Sequence, residues 1–254
     1  MYNFFADESA RQNDRFYITG ADLNHIRNVL RMRPGEKFLV SAGGVSYLCR
    51  LADYTDTAAV AEILMEDYQN TSLPIRICLF QGLPKSDKLE LIIQKAVELG
   101  AEEIVPVEMH RCIVKLDEKK KAAKRERWQA IAEAAAKQSK RNAVPAVQAP
   151  VPFARAMEMA KEMDLFLIPY ENEKGMLATR DALSQLKAGL SVGILIGPEG
   201  GFEPREVEAA QAAGGVSVSR GRRILRTETA AITAVGMCML CGEMLDAAEG
   251  GVGI

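Results

Sequence analysis

A chain of 254 residues has room for one or two domains and a sizeable core, and a composition of 48% hydrophobic, 26% charged and 6% aromatic residues excludes disordered, collagenous and coiled-coil classes. No uncharged apolar run approaches the ~20 residues of a membrane span, and the start Met1-Tyr2-Asn3-Phe4-Phe5-Ala6-Asp7-Glu8 lacks the basic and apolar regions of a signal peptide, so no membrane and a cytoplasmic location are expected. The net charge of −2 hides an uneven distribution: Lys115 to Arg141 carries ten basic against four acidic residues, leaving −8 elsewhere.

Up to about Glu66, short alternating runs (Lys37–Val40, Val45–Leu51, Ala59–Leu64) punctuated by Gly43-Gly44 and Tyr54-Thr55-Asp56 predict a small β-barrel-like domain. A helical stretch from Asp22 to Leu30 precedes the turn Arg33-Pro34-Gly35, inside a second basic island of Arg27, Arg31, Arg33 and Lys37 against Glu36. The polar stretch Glu66 to Ser72 reads as a linker, which places domain boundaries at 1–72 and 73–254. Beyond it, strand-like runs at Ile75–Phe80, Ile104–Val107, Leu165–Ile168, Val192–Ile196 and Val216–Ser219 alternate with helical ones, the signature of a mainly parallel α/β sheet. Asp87 and Glu90 form a capping-box-like start to a helix with apolar residues at Leu89, Ile92, Ile93, Ala96 and Val97, closed by Gly100. The Lys115–Arg141 island reads as a solvated helix face. Another helix begins at Glu203-Pro204-Arg205-Glu206 and stops at Gly214-Gly215, and Ala230 to Leu245 is an apolar helical run.

Several familiar chemistries fail on spacing. Gly82-Leu83-Pro84-Lys85-Ser86 is too short for a P-loop, and Lys88, at the right offset, stands between Asp87 and Leu89. No Gly-x-Gly-x-x-Gly fingerprint occurs. The odd count of five cysteines fits reduced thiols, and the pair Cys238 and Cys241 sits inside an apolar helical run, where core packing outweighs redox or zinc chemistry. With two histidines, neither paired to a Gly-x-Ser-x-Gly elbow, the sequence argues against hydrolase triads, and no metal site is expected.

Two junctions survive. Val192–Ile196 runs into Gly197-Pro198-Glu199-Gly200-Gly201-Phe202 and then a capped helix, an arrangement that lets a ligand approach bare backbone amides at the carboxyl end of a strand. The next, Ser219-Arg220-Gly221-Arg222-Arg223-Ile224-Leu225-Arg226-Thr227-Glu228-Thr229-Ala230, packs four guanidiniums into seven residues, where like charges repel unless an anion holds them.

These motifs, with Gln94-Lys95-Ala96-Val97-Glu98-Leu99-Gly100, His25-Ile26-Arg27-Asn28-Val29-Leu30-Arg31 and, in order between them, Trp128, Gln138, Arg141 and Pro145, resemble the RsmE family of SPOUT methyltransferases over nearly the whole chain. That family methylates N3 of a uridine in the decoding region of 16S ribosomal RNA with S-adenosylmethionine. The resemblance implies an N-terminal PUA-like RNA-binding β-barrel and a C-terminal SPOUT α/β domain with a mainly parallel sheet and a deep trefoil knot. It also implies a homodimer acting on 16S rRNA in the small ribosomal subunit. Cofactor contacts are implied for Ile168, Pro169, Tyr170 and Glu171, for Ile196, Gly197, Pro198, Glu199, Gly200 and Gly201, and for Arg220, Gly221, Arg223, Ile224, Leu225, Thr229 and Ala230. Departures from the family pattern are Tyr2-Asn3 in place of an early arginine and Arg220 in place of an apolar residue.

Uridine N3 is a poor nucleophile until its proton leaves, so the protein must stabilise a uridinate and align it with the methyl group. Arg226 is the candidate partner of that anion, because its fork matches the carbonyl oxygens flanking N3. Glu228 is the candidate base or the group that holds Arg226, with a structural ion pair as its other reading. Arg27, Arg31, Arg33, Lys85, Lys88, Arg111, Gln138 and Arg141 are candidates for RNA contacts. The alternatives are a related knotted enzyme with another RNA target and a non-catalytic RNA-binding or ribosome-assembly factor.

Overall fold

The computed structural model describes residues 1–170, 173 and 175–248, with the side chains of 246–248 excepted. Its contacts divide the chain into two compact units, Met1–Ser72 with Ala136–Val144, and Leu73–Ala135 with Pro145–Ile254.

The first unit is a six-stranded sheet of β1 (Asn3–Phe5), β2 (Arg11–Gln12), β3 (Arg15–Ile18), β4 (Lys37–Ala42), β5 (Val45–Tyr54) and β6 (Ala59–Glu66), in the order β1-β4-β5-β6-β3-β2. All pairs are antiparallel except β1 with β4. Alternation sends Phe16, Phe38, Cys49, Leu51 and Ala61 into one apolar cluster, with the Phe4–Phe38 and Phe16–Tyr47 rings edge to face at 5.6 and 5.0 Å. The expected Asp22–Leu30 helix is instead α1 (Gly20–Asn24) followed by a π-helical turn over His25–Val29, after which Arg31 adopts φ 53°. The polar linker is tied down: Asn142 donates to Asn70 at 2.7 Å, and the Thr71 hydroxyl to the Lys140 carbonyl at 3.1 Å.

The second unit contains β7 (Arg76–Gly82), α2 (Lys88–Glu98), β8 (Glu103–Glu108), α3 (Glu118–Ser139, its last turn counted with the first unit), β9 (Ala146–Val147), β10 (Val151–Pro152), α4 (Phe153–Ala160), β11 (Leu165–Pro169), α5 (Leu177–Leu183), β12 (Ser191–Ile196), α6 (Pro204–Ala212), β13 (Gly215–Val218) and α7 (Thr227–Ala248). All seven strands pair in parallel, in the order β10-β8-β7-β12-β11-β13 with β9 also on β8. All five predicted strands are present.

Two expectations change. Asp87 caps nothing with its side chain, because Glu90 turns instead to Arg127 at 2.8 Å. And α7, over Thr227–Leu245, is long and apolar enough by length and composition to cross a membrane, with mean hydropathy 1.3. Glu228 and Glu243 interrupt the uncharged run, which is why the sequence shows none of span length. The helix packs against α2, β7 and β12.

Candidate active site

From β7 the chain passes to β8 on one side, while β12, β11 and β13 lie on the other, so the topological switch of the sheet falls between β7 and β12. Crevices at the carboxyl ends of strands at such a point are where open α/β sheets bind ligands. Here a cleft of about 420 Å³ is lined by Lys88, Pro169, Ile196, Gly197, Pro198, Glu199, Gly200, Gly201, Phe202, Arg220, Ile224, Leu225, Arg226, Thr227 and Ala230.

The glycines make the crevice possible. A Cβ on Gly82 would stand 2.7 Å from the ring of Pro198, so only glycine lets the end of β7 approach the loop after β12. Gly201 takes φ 69°, which L side chains resist. The loop is also clamped from outside. Arg111 donates from Nη1 to the Gly200 carbonyl at 2.9 Å and from Nε to Glu203 Oε1 at 2.6 Å. At the start of α6, where the sequence predicts a capped helix opening on Pro204, Glu206 accepts from the amides of Glu203 at 2.9 Å and His110 at 2.8 Å. The Arg220 loop is anchored by buried Thr179, whose hydroxyl donates to the Ser219 carbonyl at 2.8 Å and accepts from its amide at 2.9 Å.

One charged cluster borders the cleft. Lys88 Nζ lies 3.1 Å from Glu199 Oε1 and 3.5 Å from Glu228 Oε2, and its hydrogen bond to Glu199 raises its pKa. Burial alone would raise Glu199, but hydrogen bonds from its own amide and the Lys85 amide, together with Lys88, bring it below the usual carboxylate range. Glu228 Oε2 is buried and, despite the nearby lysine, accepts no hydrogen bond.

Of the residues the resemblance implies for the cofactor, Pro169, Ile196 to Gly201, Arg220, Ile224, Leu225 and Ala230 meet at this cleft, joined by Arg226. Ile168 instead packs fully buried within β11. Tyr170 does not line the cleft and lies edge-on to Phe202 at 6.1 Å. Gly221, Arg223 and Thr229 are exposed beside the cleft without lining it, and Glu171 lies outside the described residues. Phe202 and Thr227 line it and were not singled out, although both stand inside the motifs.

Among the RNA candidates, Arg31, Arg33, Lys85 and Gln138 are exposed. Arg27 is exposed in part, stacked over the Tyr54 ring at 4.8 Å and bonded to the Thr55 carbonyl. The other three are less open: Lys88 lines the cleft between two carboxylates, Arg111 bonds to Glu203 and the Gly200 carbonyl while 40% exposed, and Arg141 is 7% exposed, with its carbonyl accepting from Asn3 and Ser41. All five cysteines are free, Cys238 is buried and pushed up to about 12, and no metal-ligating cluster occurs among the described residues.

Comparison with known proteins gives the same two parts in the same order. An RNA methyltransferase PUA domain model matches residues 18–64 and an RNA methyltransferase domain model residues 71–239. The ribosomal RNA small subunit methyltransferase E of Bacillus subtilis is 38% identical over 252 residues, covering 96% of this chain and 98% of that protein. Its counterpart in Mesomycoplasma hyopneumoniae is 34% identical over 94% of this chain and 99% of its own. The crystal structure of the Neisseria gonorrhoeae ribosomal RNA small subunit methyltransferase E bound to S-adenosyl methionine matches with TM-score 0.78 at 33% identity, covering 92% of this chain and 95% of that one. Both domains and almost the full length of these relatives are thus present, and the chain belongs to the ribosomal RNA small subunit methyltransferase E (RsmE) family of RNA methyltransferases.

Proposed function

We propose that this protein methylates N3 of a uridine in the decoding region of 16S rRNA, using S-adenosylmethionine bound in the cleft at the ends of β11 and β12. The observation that carries this reading is the convergence of both glycine-containing loops on that one cleft. The residues fit the group. Ile196, Phe202, Leu225 and Ala230 supply apolar wall for a flat base, the Gly197–Gly201 backbone gives close approach, and Glu199 lies where a cation is favoured. When bound, S-adenosylmethionine supplies an electrophilic methyl group on a sulfonium, which needs no metal and no covalent enzyme intermediate.

The remaining work falls to the chain's own side chains. Arg226, exposed at the cleft, presents its donor fork to the carbonyl oxygens flanking N3 and stabilises the uridinate. Glu228, whose Oε2 lies 3.5 Å from Lys88 Nζ, is the proposed acceptor of the N3 proton, and Lys88 pairs with both the Glu228 and Glu199 carboxylates. Arg27, Arg31, Arg33, Lys85 and Gln138 are the proposed RNA contacts. The trefoil knot, the homodimer, the 1–72 and 73–254 domain division and a cytoplasmic location belong to the same reading.

The direct test is calorimetric titration with S-adenosylmethionine of wild type and of Gly200→Val, whose Cβ would stand 3.0 Å from that of Arg111. Binding lost in the variant, followed by a methylated uridine mapped by mass spectrometry in small subunits, supports the reading. No binding by wild type, with or without small subunits, overturns it in favour of a non-catalytic RNA binder.

A further inference from the structure

Gln81 and Thr227 form a buried polar pair that the chemistry above does not use. Gln81, the residue before the last in the central strand β7, stands in register with Ile196 of β12, and its side chain is wholly buried after the apolar run Ile77–Phe80. Its Nε2 donates to the Gly82 carbonyl at 2.9 Å and to Thr227 Oγ1 at 3.0 Å, and the Thr227 hydroxyl donates in turn to the Gly197 carbonyl at 2.7 Å.

The direction of the relay is forced by chemistry. Gly82 and Gly197 offer carbonyls that only accept, so the amide nitrogen must face Gly82 and the hydroxyl proton must go to Gly197, leaving the hydroxyl oxygen to accept from Gln81. The arrangement leaves Gln81 Oε1 buried and without a partner, an uncompensated cost that an apolar residue of the same shape would avoid. The glutamine is therefore explained by its two donors.

What these donors join is specific. Gly197 opens the glycine loop, Gly82 touches Pro198 of the same loop, and Thr227 is the first residue of α7, between Arg226 and Glu228. We propose that Gln81 and Thr227 are positioning residues for methyl transfer, a buried relay that holds Arg226 and Glu228 at a set place against the loop carrying the methyl donor. The inference rests on the function proposed above. Misplacement of a reacting group by about 1 Å costs roughly a hundredfold in rate, so the relay acts on the rate more than on the presence of the cleft.

The test compares Thr227→Val, Thr227→Ser and Gln81→Met with wild type in three readouts: kcat and KM for S-adenosylmethionine with small subunits, amide hydrogen exchange without cofactor, and thermal unfolding. Thr227→Val and Gln81→Met are expected to lower kcat by roughly ten- to a hundredfold, with a smaller change in KM. They are also expected to quicken exchange together at Gly197–Gly201 and at the first turn of α7. Thr227→Ser, which keeps the hydroxyl, should restore both. A folded Thr227→Val with wild-type kcat, or with exchange unchanged at either segment, overturns the relay. Equally, Thr227→Ser as impaired as Thr227→Val assigns the site to packing by the methyl group and overturns it. If Thr227→Val does not fold, Gln81→Met and Thr227→Ser carry the same comparison. Wild-type protein that neither binds S-adenosylmethionine nor methylates overturns the proposed function, and the relay's role in transfer with it, an outcome distinct from failure of the variants alone.

Discussion

Arg226 and Glu228 sit two residues apart and face different problems. Arg226 is exposed at the mouth, and in the proposed reaction it works through the geometry of five donors rather than through charge alone. Arg226→Lys keeps the charge and loses the fork, so kcat is expected to fall about a hundredfold while KM for S-adenosylmethionine moves little; steady-state kinetics on small subunits checks it. The Lys88–Glu199 pair sets a pH window whose sign follows from its shifts. Glu199 is depressed, so its contribution is present above the ordinary glutamate range and lost as pH falls through its lower folded value. Lys88 is raised, so its contribution is present below the ordinary lysine range and lost as pH climbs through its higher folded value. Both groups are partly exposed, which keeps the amplitude small. Lys88→Met should therefore raise the Glu199 pKa toward the ordinary glutamate range, read by NMR titration of that carboxylate. An unmoved titration would show that the amide donors alone hold Glu199. At the thiols, burial pushes Cys49 and Cys238 up to about 12, so neither presents thiolate near neutrality. Native alkylation at pH 8 is expected to spare both, and mass spectrometry of the peptides reads the result.

Elements were legible in the sequence where their determinants are local. The apolar stripe of α2 and its closing Gly100, at φ 96°, are read off one segment, as is the start of α6 at Glu203-Pro204. The start of α2 was misread for the opposite reason: Glu90 had a partner, Arg127, 37 residues away, and a charged pair across the fold took it from the cap. Distance also hides half of the α6 cap, since the second donor to Glu206 is the amide of His110. Three-residue or shorter strands such as β1, β2, β9 and β10 show no alternation to read. In the site, the glycine and arginine loops announce themselves by composition. The ion pair of Arg111 and the burial of Arg141 were not legible there, because sequence shows a charge and not its partner. The Glu206 cap yields an element-scale prediction. Glu206→Ala leaves two backbone donors unpaired in a largely buried place, with an expected loss of about 2 kcal/mol in denaturant unfolding. Because α6 anchors the glycine loop through Glu203 and Arg111, the same variant should weaken S-adenosylmethionine binding more than Glu208→Ala on the exposed face of α6.

At the scale of the molecule, the return of residues 136–144 to the first unit was beyond any contiguous reading of the chain, because the bonds that make it join positions about seventy or more residues apart. The apolar character of α7, by contrast, was plain, yet sequence alone could not say how much of it the fold covers. The structure answers that in part: Ala230, Ala231, Ala234, Val235 and Cys238 are buried, while Leu240 and Met244 remain 54% and 65% exposed. Large apolar side chains left open on one helix face are a cost in water unless something covers them. A second copy of the chain is the occupant the proposed homodimer supplies, since a two-fold pairing lets the same patch meet itself and needs no further partner. Sedimentation equilibrium at micromolar concentration should then give twice the chain mass for wild type. Leu240→Glu with Met244→Glu should give the monomer, because a self-complementary patch would place like charges against each other across the axis. Neither residue lines the cleft, so a monomeric variant also separates assembly from catalysis. If it still binds S-adenosylmethionine as wild type does, each protomer completes its own cofactor site; if binding falls with the dimer, the copy across the axis contributes to it. A wild-type monomer at these concentrations would refute the pairing and leave the exposed end of α7 to another partner.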